Sequence, residues 1–147
     1  MIFDDYLVFC QEISILIGKQ MPAWSEYKQA AVERGSLALE LYAVISTPAK
    51  SPEELKTHLP AHLDYQSEQE QQGRLVMAGP LSDLSGELME GVGMIVYRAA
   101  SLEAATALAE QDPMHKTGSR EYTIRRWLVN EGSFQLDIKL SAQSVKL

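Results

Sequence analysis

Histidine and aspartate are the residue types in this chain that can move a proton near neutral pH. His62 lies two residues after Pro60, and Asp112 directly precedes Pro113. Since proline suits the first turn of a helix, the sequence predicts a helix that begins close to Leu59, with His62 near its N-terminus. The positive end of the helix dipole favours the neutral imidazole there, which makes His62 a candidate general base. No serine or cysteine nucleophile is evident beside these residues, so the expected chemistry is proton transfer.

Two other interpretations of these residues stay open from the sequence. His62 could be a buried histidine that binds a backbone carbonyl, with Asp112 as an Asp-Pro turn residue at the end of a second helix. Alternatively, His58 and His62 stand four residues apart, a spacing that zinc ligands on one helix face often show, with Asp64 and His115 also available. Because Pro60 lies between the two histidines and the metalloprotease glutamate is missing, we expect no metal.

Other side chains are candidates for contacts with a substrate. Arginines at 98, 120, 125 and 126 stand on the third and fourth strands of the predicted sheet. One of them, with Arg98 as a candidate, could clamp a substrate carboxylate, although pairing with Glu40 or Glu121 is the alternative. Tyr65 could line an aromatic pocket or the core, and His115 the cleft mouth or the surface. The glycines form neither a phosphate loop nor a dinucleotide fingerprint, so we expect no cofactor.

Hydrophobic periodicity predicts the elements that position these residues. Apolar residues at helical spacing predict an N-terminal helical segment over residues 1–35. The expected core elements are a strand at 36–47, a helix to 72, strands at 74–78 and 93–98, a helix capped by Ser101 to 110, and a strand at 120–129. This β-α-β-β-α-β order over residues 36–131 is that of an α+β ferredoxin-like fold. Residues 132–147 form a tail.

Composition limits the classes of partner. The 147 residues carry a formal net charge of −7, which disfavours nucleic acid or an anionic membrane as a ligand. No apolar run reaches the length that spans a membrane, and the N-terminus lacks the positive charge of a secretory signal. With a single cysteine, Cys10, the sequence indicates a cytoplasmic protein.

The residues around the candidate site resemble a known family. Pro60-Ala61-His62-Leu63 leads to Gly73-Arg74-Leu75-Val76-Met77-Ala78-Gly79-Pro80, followed by Ser101-Leu102-Glu103-Ala104-Ala105 and Asp112-Pro113. Their joint order and spacing resemble the YCII-related family of small bacterial proteins, which is similar in fold to muconolactone isomerase and other dimeric α+β barrels.

The resemblance implies a homodimer with a cleft in each subunit, and a His–Asp pair in that cleft at His62 and Asp112. Gly79 of the quoted motif, together with Tyr65, His115 and Arg98, makes up the candidate substrate-binding residues. One departure is the presence of Gln66 and Gln69 where the family usually has apolar residues. The expected function is a cofactor-independent isomerase or lyase, such as a dehydrochlorinase, acting on a small ring compound. The alternatives are a small-molecule-binding dimer without turnover and a structural dimer.

Overall fold

A computed structural model describes residues 21–146 of the chain. The helix expected over residues 1–20 lies outside this range. In chain order the elements are α1 (Trp24–Glu33), β1 (Leu39–Pro48), α2 (Pro52–Gln71), β2 (Leu75–Pro80), β3 (Gly93–Tyr97), α3 (Leu102–Gln111), α4 (Pro113–Lys116), β4 (Arg120–Val129), β5 (Asp137–Lys139) and β6 (Ser144–Lys146). Two compact units contain them: Leu39–Val129, and the flanking segments on either side of it.

The central unit has the expected ferredoxin-like topology. Its four strands lie in the order β2-β3-β1-β4, and every neighbouring pair is antiparallel. Val44, Ile95 and Tyr97 from the sheet pack with Ala109 of α3 to form the buried core. Side chains alternate between the two faces of a strand, so residues 42, 44 and 46 of β1 face the helices. The fold class predicted from the sequence is confirmed.

The opposite face of this sheet is also apolar. Leu41 and Val96 are buried there, whereas Leu39 and Trp127 remain about two-fifths exposed, at 42% and 41%. Leu41 and Trp127 are directly paired across β1 and β4, so the exposed and buried parts of this face are contiguous.

The start of α2 differs from the sequence-based prediction. The helix begins at Pro52 and runs without a break through Pro60 to Gln71, so the expectation of a start close to Leu59 was wrong. Ser51 caps the helix by accepting a hydrogen bond from the Glu54 N–H at 3.3 Å, and Pro52 occupies the first turn. This cap and proline are a complete start signal. An interior proline removes one backbone hydrogen bond but does not force a helix to end.

Two strand boundaries also differ. Gly79 and Pro80 were expected to break β2, yet they pair with Met94 and Gly93 of β3. Since β2 is an edge strand, the missing N–H of Pro80 removes no bond from a second neighbour. At the other boundary, β1 begins three residues later than expected, because Ala38 has a positive φ of 48° that an extended strand does not allow.

The flanking segments form a smaller unit. Helix α1 ends before Gly35, whose φ of +83° suits glycine at a helix terminus. The Leu37 N–H donates to the Asn130 carbonyl at 3.0 Å, which joins the two segments. Strands β5 and β6 form an antiparallel hairpin with exposed apolar side chains. Within residues 21–146, no helix is both long and apolar enough to cross a membrane.

A proline substitution tests the continuity of α2. Pro60 is exposed in the middle of the helix. Replacing it by alanine restores the missing N–H, so we expect Pro60→Ala to raise the free energy of unfolding by about 1–3 kcal/mol in urea denaturation. The matched control is Pro52→Ala, because a first-turn proline removes no helical bond. An equal effect of the two substitutions would contradict a continuous helix.

Candidate active site

The predicted His–Asp pair is formed in the structure. The Nδ1 atom of His62 lies 2.9 and 2.8 Å from the two carboxylate oxygens of Asp112. The carboxylate is fully buried, while 20% of the His62 side chain is exposed. Because a carboxylate only accepts hydrogen bonds, Nδ1 carries the hydrogen. In the neutral ring Nε2 is then the basic nitrogen.

Asp112 occupies a junction between two helices. It ends α3 and also caps α4, where its side chain accepts a hydrogen bond from the Met114 N–H at 3.0 Å. Gln66 of α2 donates a further hydrogen bond from Nε2 to Oδ2 at 3.0 Å. Burial by itself raises the pKa of Asp112, but the hydrogen bond and charge of His62, together with the Met114 N–H, outweigh it. They hold this pKa below its ordinary value.

The position of His62 corrects one argument made from the sequence. His62 lies near the middle of α2, since the helix begins at Pro52 rather than near Leu59. The helix dipole acts mainly within the first and last turns, so it does not determine the protonation of this ring. The orientation of His62 comes instead from its contact with Asp112.

His62 opens onto a cavity of about 750 Å³. Its Nε2 atom has no hydrogen-bond partner within residues 21–146. Apolar side chains dominate the wall, among them Leu59, Leu63, Leu75 and Ile95, with methionines at 77, 89, 94 and 114. A ligand in this cavity would therefore meet an apolar surface and one free imidazole nitrogen.

Among the other predicted site residues, one lines this cavity and the rest do not. Gly79 lines it. The Tyr65 hydroxyl donates a hydrogen bond to the Leu108 carbonyl at 2.8 Å and so connects α2 to α3. Burial raises the pKa of Tyr65 to about 12, so its phenol stays protonated. Arg98 is exposed, donates to the Gly73 carbonyl at 2.7 Å and is not part of the wall.

His115 lies behind the wall in a second polar network. Its Nδ1 is 2.7 Å from the Ala109 carbonyl, and its Nε2 is 2.8 Å from the Ser46 hydroxyl. Burial lowers the pKa of His115, and this favours the neutral ring. Ser46 and Arg120 both line the cavity, and Arg120 donates from Nε to Ser46 Oγ at 2.8 Å. The sequence did not single out Ser46, because its only signal is a polar residue in an apolar strand.

The two glutamines that depart from the family pattern are both buried. Gln66 supports Asp112, as described above, and Gln69 accepts a hydrogen bond from Arg74 Nε at 2.7 Å. Their polarity therefore serves contacts inside the protein.

His58 and His62 share the regular helix after all, but the described residues contain no cluster of three side chains that could hold a metal ion.

Comparison with known proteins shows the family of the chain. The model of the YCII-related domain matches residues 40–128, which is more than half of the chain. The chain belongs to the YCII-related family. It is 30% identical over 87 residues to the uncharacterized protein YjpA of Bacillus subtilis (strain 168), covering 59% of this chain and 95% of YjpA.

Among solved structures, the chain is similar to TftG. This is the 5-chloro-2-hydroxyhydroquinone dehydrochlorinase from Burkholderia phenoliruptrix AC1100, in complex with 2,5-dihydroxybenzoquinone. The similarity has 17% sequence identity and a TM-score of 0.44, and it covers 59% of this chain and 92% of TftG.

The buried carboxylate generates a prediction about stability and pH. Asp112→Asn replaces one acceptor oxygen by an NH₂ group, so we expect it to lower the free energy of unfolding by about 1–3 kcal/mol near neutral pH. The folded chain lowers the pKa of Asp112 from 3.8, so its stabilising effect is present above that value and is lost as the pH falls through the folded pKa. In urea denaturation, the difference between wild type and variant should therefore shrink below about pH 4.

An exposed carboxylate on α2, the helix that carries His62, supplies the control. Asp64→Asn should change the free energy of unfolding little at any pH, since Asp64 is exposed. A difference between wild type and Asp112→Asn that stayed constant down to acid pH would contradict the stabilised carboxylate.

Proposed function

We propose that this YCII-related protein is a cofactor-independent enzyme that uses His62 and Asp112 to transfer a proton on a small ring compound. The observation that carries this proposal is the state of the His62 ring. One nitrogen is held by a fully buried carboxylate, and the other has no partner in the described part of the chain and faces a cavity. This is the arrangement that a general base requires.

The proposed step moves one proton. Nε2 of His62 takes a proton from a substrate carbon, and the electron pair of the broken C–H bond remains on the substrate as an enolate. Asp112 stabilises the imidazolium that forms. Return of the proton to another atom gives an isomerisation. In an elimination, the enolate electron pair forms a new C=C bond and the leaving group departs with the electron pair of its own bond to carbon. Neither course needs a cofactor.

The cavity supports a small, largely apolar substrate. Its volume of about 750 Å³ admits a single ring with substituents, and most of its wall is apolar. A cytoplasmic location is supported by the single cysteine among 147 residues, which suits a reducing compartment.

A second candidate function is binding without turnover. Four of the residues that line the cavity are methionines, whose flexible side chains adapt to ligands of different shape. In this alternative, His62 and Asp112 would orient a ligand through hydrogen bonds, and no bond would break.

We also propose that the active form is a homodimer. The sheet face that carries Leu39 and Trp127 lies opposite the helices and keeps large apolar side chains about two-fifths exposed. A second copy of the same face would bury these side chains, because a two-fold interface brings identical patches together.

Proton transfer to solvent tests the enzyme proposal. Cyclic ketones and hydroxyquinones with an acidic C–H are incubated with the protein in D₂O, and the loss of each C–H signal is followed by NMR. We expect catalysed exchange on at least one of them. His62→Gln should slow it by about 100- to 10,000-fold, which is the range of general acid–base catalysis.

The control is the same substitution at another histidine of the same helix. His58→Gln changes a histidine one turn earlier on α2 that does not line the cavity, so exchange should stay at the wild-type rate. Compounds that bind but exchange no proton would favour the binding module. Full exchange activity in His62→Gln would refute the proposed role of this residue.

Oligomeric state tests the dimer. Leu41 is buried within the chain, which makes it a poor probe, whereas Leu39 and Trp127 are accessible. We expect Leu39→Lys and Trp127→Lys to shift the mass measured by light scattering from dimer to monomer, because each places a charge in the proposed apolar interface. Leu88→Lys, at an exposed leucine in the β2–β3 loop, is the control and should remain dimeric. Lysine variants of wild-type mass would contradict this interface.

A further inference from the structure

Arg120 is anchored in the cavity wall by neutral groups. Its Nε donates to Ser46 Oγ and its Nη2 to the Ser46 carbonyl, both at 2.8 Å, and Nη2 also contacts the Gly91 carbonyl. Gly91 itself has a φ of +84°, and a Cβ there would lie 2.8 Å from Pro48 Cγ. The backbone that holds Arg120 is therefore closely packed.

Among the described residues, the charge of this arginine is not neutralised by a direct ion pair. Burial lowers the pKa of Arg120, and the negative charge of Asp112 acts against this from a distance. Within residues 21–146, no carboxylate lies in salt-bridge contact with Arg120, although Glu40 and Glu121 are the partners that the sequence suggested. The Nη1 group also has no acceptor in that range. A guanidinium that is half-buried in a wall lacks full hydration, so an unpaired one favours an anion.

Ser46 and His115 fix the orientation of Arg120. The Ala109 carbonyl only accepts, so the hydrogen of His115 lies on Nδ1, and Nε2 accepts from the Ser46 hydroxyl. The oxygen of Ser46 is then free to accept from Arg120 Nε. Each hydrogen bond in this series points in one direction, so Ser46 acts as a positioning residue for the guanidinium.

We infer that Arg120 selects ligands that carry an anionic oxygen, such as a carboxylate or an enolate, on an apolar body. Nη1 binds this oxygen, and the apolar wall receives the rest of the molecule. The inference rests on the proposed function only in assuming that the cavity with His62 is the ligand site. It names the substrate class of that site and, for an enolate, a group that stabilises the charge formed when His62 removes a proton.

One carboxylate in the wall opposes this selection. Glu70 also lines the cavity, but it is exposed near the C-terminal end of α2. Solvent screens an exposed charge more than a half-buried one. The buried carboxylate of Asp112 also acts on Arg120, but its oxygens are held by His62, Gln66 and the Met114 N–H. Arg120 is therefore the charged group of the inner wall that still has a donor for a ligand.

A pair of isosteric probes tests the inference on the unmodified chain. Benzoate and benzamide have the same shape and differ in charge, and their dissociation constants are measured by NMR titration. We expect benzoate to bind about tenfold tighter or more, because a hydrogen bond to a charged group is stronger than one to a neutral group. The preference for benzoate should disappear in Arg120→Gln and be reduced in Ser46→Ala.

Two further variants separate this result from the catalytic proposal. His62→Gln should keep the preference for benzoate, so a failure of the exchange experiment leaves this measurement intact. Arg98→Gln, at an exposed arginine outside the wall, is the matched control and should bind as wild type. If Arg120→Gln does not fold, Arg120→Lys preserves the charge without the planar fork and should retain a weakened preference.

Three outcomes would overturn the inference. Equal affinity of wild type for benzoate and benzamide would show that charge is not selected. The absence of saturable benzoate binding would show that the wall does not hold an anion. A preference that persisted in Arg120→Gln but was lost in His62→Gln would assign the anion to the imidazolium instead.

Discussion

The fully buried carboxylate of Asp112 is the constraint on which the site depends. A charge without solvent requires hydrogen-bond donors, and three separate groups supply them: the His62 ring, the Gln66 amide and the Met114 N–H. Two of these groups come from α2, and the third lies in the first turn of α4. Packing of α2 against the junction of α3 and α4 therefore supplies the hydrogen bonds that this buried carboxylate requires. The same contacts leave one nitrogen of His62 directed at the cavity.

A second network supports the part of the cavity wall that Ser46 and Arg120 form, by the same physical rule. Arg120, Ser46 and His115 come from β4, β1 and α4, and each satisfies the hydrogen-bonding need of the next. The two networks differ in the group that each leaves available to a ligand. The first pairs its charge and leaves a basic nitrogen, whereas the second leaves a cation with no direct counter-ion in the described part of the chain. Apolar side chains dominate the rest of the cavity wall, and such less polar surroundings strengthen both electrostatic effects.

The agreement between sequence and structure depends on the kind of signal. Ser101 as a cap, Asp112-Pro113 as a helix end and the strand at 120–129 are local signals, and the structure has all three. The predicted start of α2 was wrong because the first-turn proline is Pro52, capped by Ser51, whereas Pro60 lies inside the helix. Gly79 and Pro80 were misassigned for a different reason, since the tolerance of a strand for proline depends on whether it lies at an edge.

The sequence alone determined the order of elements and the ferredoxin-like class, and it named His62 and Asp112 as candidates for a pair. These follow from periodicity, caps and turn residues, or from family motifs, all of which are encoded within short stretches of chain. Tertiary structure alone decided that His62 and Asp112 touch, that Gln66 and Ser46 are buried for their hydrogen bonds, and that Arg120 has no carboxylate partner among the described residues. Such contacts join residues up to 74 positions apart. They exist only after the chain closes, because burial and distance are properties of the packed molecule rather than of any segment.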